Sequence, residues 1–199
     1  SQTDNSLWCW GYDGWGQVGD GPENTWPSAP VKIGSASWSS VTAGSDHTCG
    51  IQANGTLWCW GYPPMLGQDL PYDNSVPSKV GTQTWKSVAA TNFHTCGIQS
   101  DDSLWCWGAN ESGQIGDGTT SPALKPVKVG NQPWKAVSTG AYHSCGIQTT
   151  GTLWCWGSNA EGILGDGTGT QRIIPTQVGS LNTWTDISLG LHHSAGLHA

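Results

Sequence analysis

Apolar residues along this chain recur with a period of two, in runs too short for helices. The clearest stretch runs from Pro126 to Gly157. It holds Pro126-Val127-Lys128-Val129, then Trp134-Lys135-Ala136-Val137-Ser138-Thr139-Gly140, then His143-Ser144-Cys145-Gly146-Ile147-Gln148, then Gly151-Thr152-Leu153-Trp154-Cys155-Trp156-Gly157. Gly, Pro, Asn and Thr separate the runs. Short runs bounded in this way predict four antiparallel strands, and no helical period of useful length competes with them. Alternation places His47, Cys49 and Ile51 on one face of a strand, with Thr48 and Gly50 on the other. On the partner strand Leu57 and Cys59 share one face, and Trp58 and Trp60 the other. Both faces are apolar, so the sheet is expected to be sandwiched between neighbours, with Gly50 leaving room for an indole that buries about 150–250 Å².

The pattern repeats. Leu-Trp-Cys-Trp-Gly occurs at 7–11, 57–61, 104–108 and 153–157. Between its copies stand His-Thr-Cys-Gly-Ile at 47–51 and 94–98, His-Ser-Cys-Gly-Ile at 143–147 and His-Ser-Ala-Gly-Leu at 193–197. A four-stranded unit repeated at about 50 residues reads as a propeller blade. The units are 12–61, 62–108, 109–157, and 158–199 together with 1–11. Every Trp except Trp15 and Trp26 falls at an equivalent repeat position. Trp58, Trp60, Trp105, Trp107, Trp154 and Trp156 are therefore expected to be structural and largely buried.

Composition narrows the function classes. The chain has 199 residues, enough to bury about 70% of its unfolded surface as one domain or a small array. Only 11% of residues are charged, and the net charge is −7 with a single arginine, Arg172. That argues against a phosphate-tracking nucleic-acid surface. No apolar run is long enough to span a membrane as a helix. The polar opening Ser1-Gln2-Thr3-Asp4-Asn5 is unlike a signal peptide.

The cysteines bear on compartment. Cys49 and Cys59, Cys96 and Cys106, and Cys145 and Cys155 each flank a hairpin, clearest around Asn54-Gly55, where glycine suits the left-handed turn position. That register sets the two cysteines opposite each other, within disulfide reach. Three stapled hairpins imply an oxidising compartment, hence a secreted or periplasmic protein. The alternative is three pairs of reduced, buried thiols. No closely spaced zinc-type pair occurs.

The unit W-x-x-V-x-x-G-x-x-H-[ST]-C-G-I…G-T-L-W-C-W-G-x-N-x-x-G-Q-[IL]-G-D-G-T…P-x-x-V resembles the repeat of the regulator of chromosome condensation family. Trp134–Gly157 and Gly108–Thr119 carry it best. The resemblance implies an all-β propeller of four-stranded antiparallel blades. It leaves function open, since that family includes nucleotide-exchange factors, a plant ultraviolet photoreceptor and a bacterial β-lactamase inhibitor. The photoreceptor sets Trp beside Arg clusters, which one arginine does not supply. The usual member has seven blades, whereas this chain has repeat material for four.

Leu7–Gly11 and His193–Leu197 are complementary halves of a unit. Pairing them within the chain would complete a fourth blade and close a four-blade ring, hiding two sheet edges. Cys9 would then face Ala195 and stay unpaired. The alternative is pairing between molecules, a homo-oligomer formed through terminal half-blades or through Cys9, up to a larger ring or a filament.

Each candidate site has a competing structural role. His47, His94, His143 and His193 could suggest a metal, but each shares a face with Cys and Ile, which favours a buried histidine bonded to backbone. Gly19-Asp20-Gly21, Gly116-Asp117-Gly118 and Gly165-Asp166-Gly167 offer one carboxylate each, too few for calcium, so Asp bonding the backbone two residues on is the better reading. No nucleophile elbow, zinc-protease or phosphate-loop motif is present, and the chain is read as non-catalytic, without metal or cofactor. The departures from the repeat point to binding. One connection, 61–74, brings Tyr62, Met65 and Tyr72, and the first connection brings Tyr12, Trp15 and Trp26. Loop aromatics on a rigid scaffold favour a protein partner, or a glycan stacked on Trp and Tyr. The connections differ from one another, which favours one asymmetric face for an extracellular protein over a lectin with similar sites in every blade.

Overall fold

The structure, a computed structural model, describes residues 4–21, 26–69 and 74–199. Fifteen strands follow in order: β1 (Trp8–Cys9), β2 (Val31–Lys32), β3 (Trp38–Ala43), β4 (His47–Gln52), β5 (Thr56–Gly61), β6 (Ser78–Ala90), β7 (His94–Gln99), β8 (Leu104–Gly108), β9 (Ala123–Lys128), β10 (Trp134–Thr139), β11 (His143–Gln148), β12 (Leu153–Gly157), β13 (Arg172–Gln177), β14 (Trp184–Leu189) and β15 (Ser194–His198). A single 3-10 turn, Pro63–Met65, interrupts the described strands. All ladders are antiparallel.

Three complete blades stand between two half-blades. The third blade is the sheet β10-β11-β12-β13, and β1-β2 and β14-β15 are the halves. The first two blades merge into one seven-stranded ladder because β6 serves both. Its start, around Lys79, pairs with Trp58 of β5, and its end, from Trp85, pairs with β7. Between them the chain turns at Gly81, whose φ of 61° suits glycine. Each sheet is offset from the sequence repeat by one strand, since the Pro-Val-Lys run of β9 pairs back onto β8.

The hairpin register is the expected one, with Cys49 opposite Cys59, Cys96 opposite Cys106 and Cys145 opposite Cys155. All three pairs are disulfide-bonded, and Cys9 is free. The bonds lie in the layers between blades. In one such layer Cys96, Ile98, Leu104 and Cys106 meet Ile115 and Val129 of the connecting segment and Trp134 and Trp156 of the next blade.

The tryptophans divide by position. Trp60, Trp107 and Trp156 are fully buried, whereas Trp58, Trp105 and Trp154 are partly buried and pack against the core clusters from their edges. Their indoles lie along the sheet and donate to a hydroxyl two residues back, as Trp105 does to Ser103 at 2.8 Å. The indole that occupies the space over Gly50 belongs to Trp38 on the neighbouring strand. A Cβ on Gly50 would come within 2.7 Å of that ring, and the same relation joins Gly97 to Trp85 and Gly146 to Trp134.

Adjacent blades are joined by the same few groups each time. Thr48, Thr95, Ser144 and Ser194 donate their hydroxyls to the carbonyls of Gln17, Met65, Gln114 and Ile163 at 2.8, 3.2, 2.9 and 2.7 Å. The indoles of Trp107 and Trp156 share two of those carbonyls, those of Met65 and Gln114, each at 2.8 Å. The histidines complete the joint. His47, His94 and His143 reach Thr95, Ser144 and Ser194 of the following blade at 2.8, 2.7 and 3.0 Å. Their partner is thus a hydroxyl on the next blade, where backbone was expected. Each hydroxyl already gives its proton to a carbonyl, so Nε2 must be the donor and Nδ1 the bare nitrogen.

The expected closed four-blade ring is not formed. Among the described residues β1 pairs with β2 and β15 with β14, and no ladder joins β1 to β15. Each terminal strand is paired along one edge alone, which leaves the sheets open. Within the blades, Trp38–Trp60, Trp85–Trp107 and Trp134–Trp156 all pack with ring centroids 5.8 Å apart at 60–68°, so each blade presents the same pair of indoles to the one before it.

Candidate binding face

Tyr12 and Tyr62 each follow a Leu-Trp-Cys-Trp-Gly strand, so they emerge from the same end of their blades. The backbone confirms which end. The N–H groups of Tyr62, Ala109 and Ser158 donate to the carbonyls of Asp46, Phe93 and Tyr142, the residues just before the repeat histidines. Residues at both kinds of position therefore share one rim.

Three aromatic pairs lie along it. Tyr12 and Trp26 have ring centroids 5.5 Å apart at 45°, and Trp15 and Tyr62 are 4.7 Å apart at 56°. Tyr12 and Trp26 are exposed by 57% and 58%, and Trp15 by 41%, enough to offer ring faces to a partner. The third pair, Phe93 with Tyr142 at 5.3 Å and 30°, escaped the sequence reading. Both stand immediately before a repeat histidine, where the first unit has Asp46 and the last His192. That variation at a fixed position was the available signal.

The turns hold these rings by a shared scaffold. Trp15 N–H donates to the Gln17 side chain at 2.9 Å, as Ser112 N–H does to Gln114 at 2.9 Å, so Trp15 occupies an ordinary turn position. Asn110 and Asn159 act as hubs. Asn110 accepts from Ile115 N–H at 2.9 Å, while its amide donates to the carbonyls of Thr119 and Ser121 at 3.1 and 3.0 Å. Asp117 and Asp166 accept the backbone N–H two residues on, Thr119 and Thr168, both at 2.9 Å, which is the turn role expected of them. Arg172 also holds Asp166, at 2.8 Å. The Thr168 hydroxyl and Arg172 keep the Asp166 carboxyl well below the usual carboxylate range.

Two expected site residues fall elsewhere. Met65 is buried, with its carbonyl in the blade joint, because the Pro63–Met65 turn folds it inward. It is not displayed to a ligand. Tyr72 lies outside the described residues. Cys9 is half-buried, and burial first, then the Asp20 carboxylate, pushes its thiol up to about 11, so it is a weak nucleophile at neutral pH.

The fold is shared with longer proteins. Human WBSCR16 superposes with a TM-score of 0.86 at 20% identity, over 98% of this chain and 54% of its own. Yeast RCC1 (Prp20) in complex with Kap60 gives 0.83 at 18% identity, over 98% and 50%. The ectodomain of the receptor kinase CR4 from Physcomitrella patens gives 0.55 at 21%, over 85% and 39%. The chain thus spans about half the length of the first two. No curated protein matches its sequence. One model of the regulator of chromosome condensation (RCC1) repeat matches residues 101–147 and 150–197, and a second matches 38–63, 85–114 and 134–163. Matched by this repeat over more than half of its length, the chain belongs to the RCC1 repeat family.

Proposed function

We propose that this protein is a non-catalytic binding module of an oxidising compartment, secreted or periplasmic, that docks a protein partner through the aromatic rim. The observation that carries the reading is the row of pairs Tyr12–Trp26, Trp15–Tyr62 and Phe93–Tyr142 at one end of the blades. None has a role imposed by the repeat. Tyr and Trp bring large contact area at low entropic cost, and both are enriched among the residues that dominate binding energy. The three disulfides support the compartment. The structural relatives add a precedent for the use of the fold, since yeast Prp20p was studied for binding to Gsp1p and histones.

A glycan ligand is the second reading, favoured by the exposure of the Tyr12–Trp26 pair, whose tilted rings could stack on a sugar. Three single variants, Trp15→Ala, Trp26→Ala and Tyr62→Ala, decide the matter against partners captured from the native extracellular medium and against a glycan array. Each should weaken a captured protein at least about 30-fold, with the melting temperature unchanged. Undiminished binding or unfolded variants refute the rim. Glycan binding lost in Trp26→Ala, with no protein captured, installs the lectin reading instead.

A further inference from the structure

Toward the end of the blades opposite the aromatic rim, the same cleft is built twice. It is lined by Trp85, Gln99 and Trp105 in one blade and by Trp134, Gln148 and Trp154 in the next, with volumes of about 490 and 460 Å³. β7 and β11 run from the histidines near the rim to Gln99 and Gln148, which sets the clefts at the far end. Ladder register places Gln99 opposite Trp85 and Gln148 opposite Trp134. Trp105 and Trp154 stand opposite Gly97 and Gly146, the glycines that lie against the indoles of Trp85 and Trp134. Each cleft therefore has one inner indole, one outer indole and one glutamine. Both belong to complete four-stranded blades in the interior of the array.

Each cleft is prepared for a ligand in three ways. The outer ring is fixed. Trp105 and Trp154 donate their Nε1 protons to the hydroxyls of Ser103 and Thr152 at 2.8 and 2.9 Å, so rings partly in solvent are held in place as platforms. The polar groups beside them are unused. Gln148 is 8% exposed and lines its cleft, and its side-chain amide has no hydrogen-bond partner among the described residues. The amide of Gln99 has none either. The indoles of Trp85 and Trp134 are buried, and their Nε1 donors lack a partner as well. Buried polar groups left unpaired weaken a fold, and a ligand that pairs them recovers the loss. Finally, the charges balance. One aspartate and one lysine line each cleft, Asp69 with Lys125 and Asp117 with Lys128.

We propose that these clefts bind neutral sugar rings, one pyranose unit of a glycan in each. This goes beyond the rim reading and is independent of it, since the clefts lie toward the other end of the blades. A pyranose with equatorial hydroxyls has a flat C–H face, which stacks on an indole face such as that of Trp105 or Trp154. Its edge is a belt of hydroxyls that both donate and accept, and a glutamine amide offers both in return. Balanced charge favours a neutral ligand over an anionic or cationic one. The volumes fall within the range of small-molecule sites, about 300–1,000 Å³. Trp38, Gln52 and Trp58 hold the same register in the first complete blade, so the set recurs from blade to blade. Weak sites in successive blades gain avidity when they engage one polymeric glycan.

Calorimetric titration of the full chain with cellotetraose, chitotetraose and an oligogalacturonate of the same length tests this. Cellotetraose or chitotetraose, whose rings carry equatorial hydroxyls, should bind at two or more sites per chain, and the charged oligomer should not. Gln148→Leu should weaken the site in its own blade at least about 10-fold without lowering the melting temperature, because that amide holds nothing within the fold. Gln99→Leu added to it should remove a second site. Trp154→Ala should weaken binding at least about 30-fold at some loss of stability. Trp26→Ala should leave all of this unchanged, which separates failure of the clefts from failure of the rim. No binding of either neutral oligomer overturns the proposal. So does binding that survives both glutamine changes, that is lost in Trp26→Ala, or that prefers the oligogalacturonate. A melting temperature lowered by Gln148→Leu also overturns it, since the amide would then serve the fold.

Discussion

His94 lends the N–H of its Nε2 to the hydroxyl of Ser144 across a blade boundary, at 2.7 Å, while its Nδ1 stays buried without a partner. A proton on Nδ1 would place an unpaired charge in the interior. Burial thus pushes the imidazole down to about 3, helped by His143 and His47, and burial pushes His47 and His143 down to about 4. In the unfolded chain the same rings titrate near 6.5. Below that pH the unfolded state binds more protons, so stability should be flat above about pH 7. It should fall as pH drops toward about 4, by up to about 1.4 kcal/mol per unit for each histidine. Urea denaturation from pH 7.5 to 4.5 measures the slope, and His94→Gln should reduce it. A flat profile would mean the rings take up protons in the fold as readily as in the unfolded chain.

Replacing Trp107 by Ala should cost about 3–5 kcal/mol, since it opens a cavity and removes a donor from the Met65 carbonyl. Trp105→Ala should cost roughly half as much, because that ring is partly in solvent. Equal losses would contradict the division of the tryptophans into inner and outer rows. Acrylamide quenching of the wild type should be biphasic for the same reason.

Each disulfide closes a short loop, with a sequence separation of 10. Removing one as a double Cys→Ala variant should cost about 2–3 kcal/mol, mainly by freeing the unfolded chain. Peptide mapping of oxidised protein should find bonds within hairpins, and a bond between blades would break the strand register.

Asn110→Asp is predicted to be damaging despite its small change in shape. The carboxylate would lose the donations to Thr119 and Ser121 and stand within about 3.3 Å of Asp117. A loss of about 2–4 kcal/mol is expected, partly recovered at low pH as the carboxylates protonate. Unchanged stability at pH 7 would show that Asn110 is not a hub.

The strands, the hairpin register and the three disulfides were legible because a repeated alternation states them three or four times. What depends on the step from blade to blade was not. Nothing in the spacing of Trp38 and Gly50 tells that they stack, because the contact crosses to the adjacent strand. Nor could spacing tell whether the terminal strands pair, since closure depends on how one blade packs on the next, as Trp134 and Trp156 do on Cys96 and Leu104. Met65 looked like a loop aromatic's companion, yet the two prolines before it wind a turn that carries it inward. Tyr12, Trp15, Trp26 and Tyr62 were visible as departures from the repeat. Phe93 and Tyr142 were hidden by standing next to a conserved-looking motif within it.

The carbonyl that receives a hydroxyl in each joint, and an indole as well in two of them, makes the array behave like a row of similar couplings. Each blade is secured by its two neighbours and by nothing further along the chain. Melting should then begin as fraying, with β15, fully exposed, exchanging its amide hydrogens before β7 or β11. A lost joint would shorten the ordered row without dissolving the remainder.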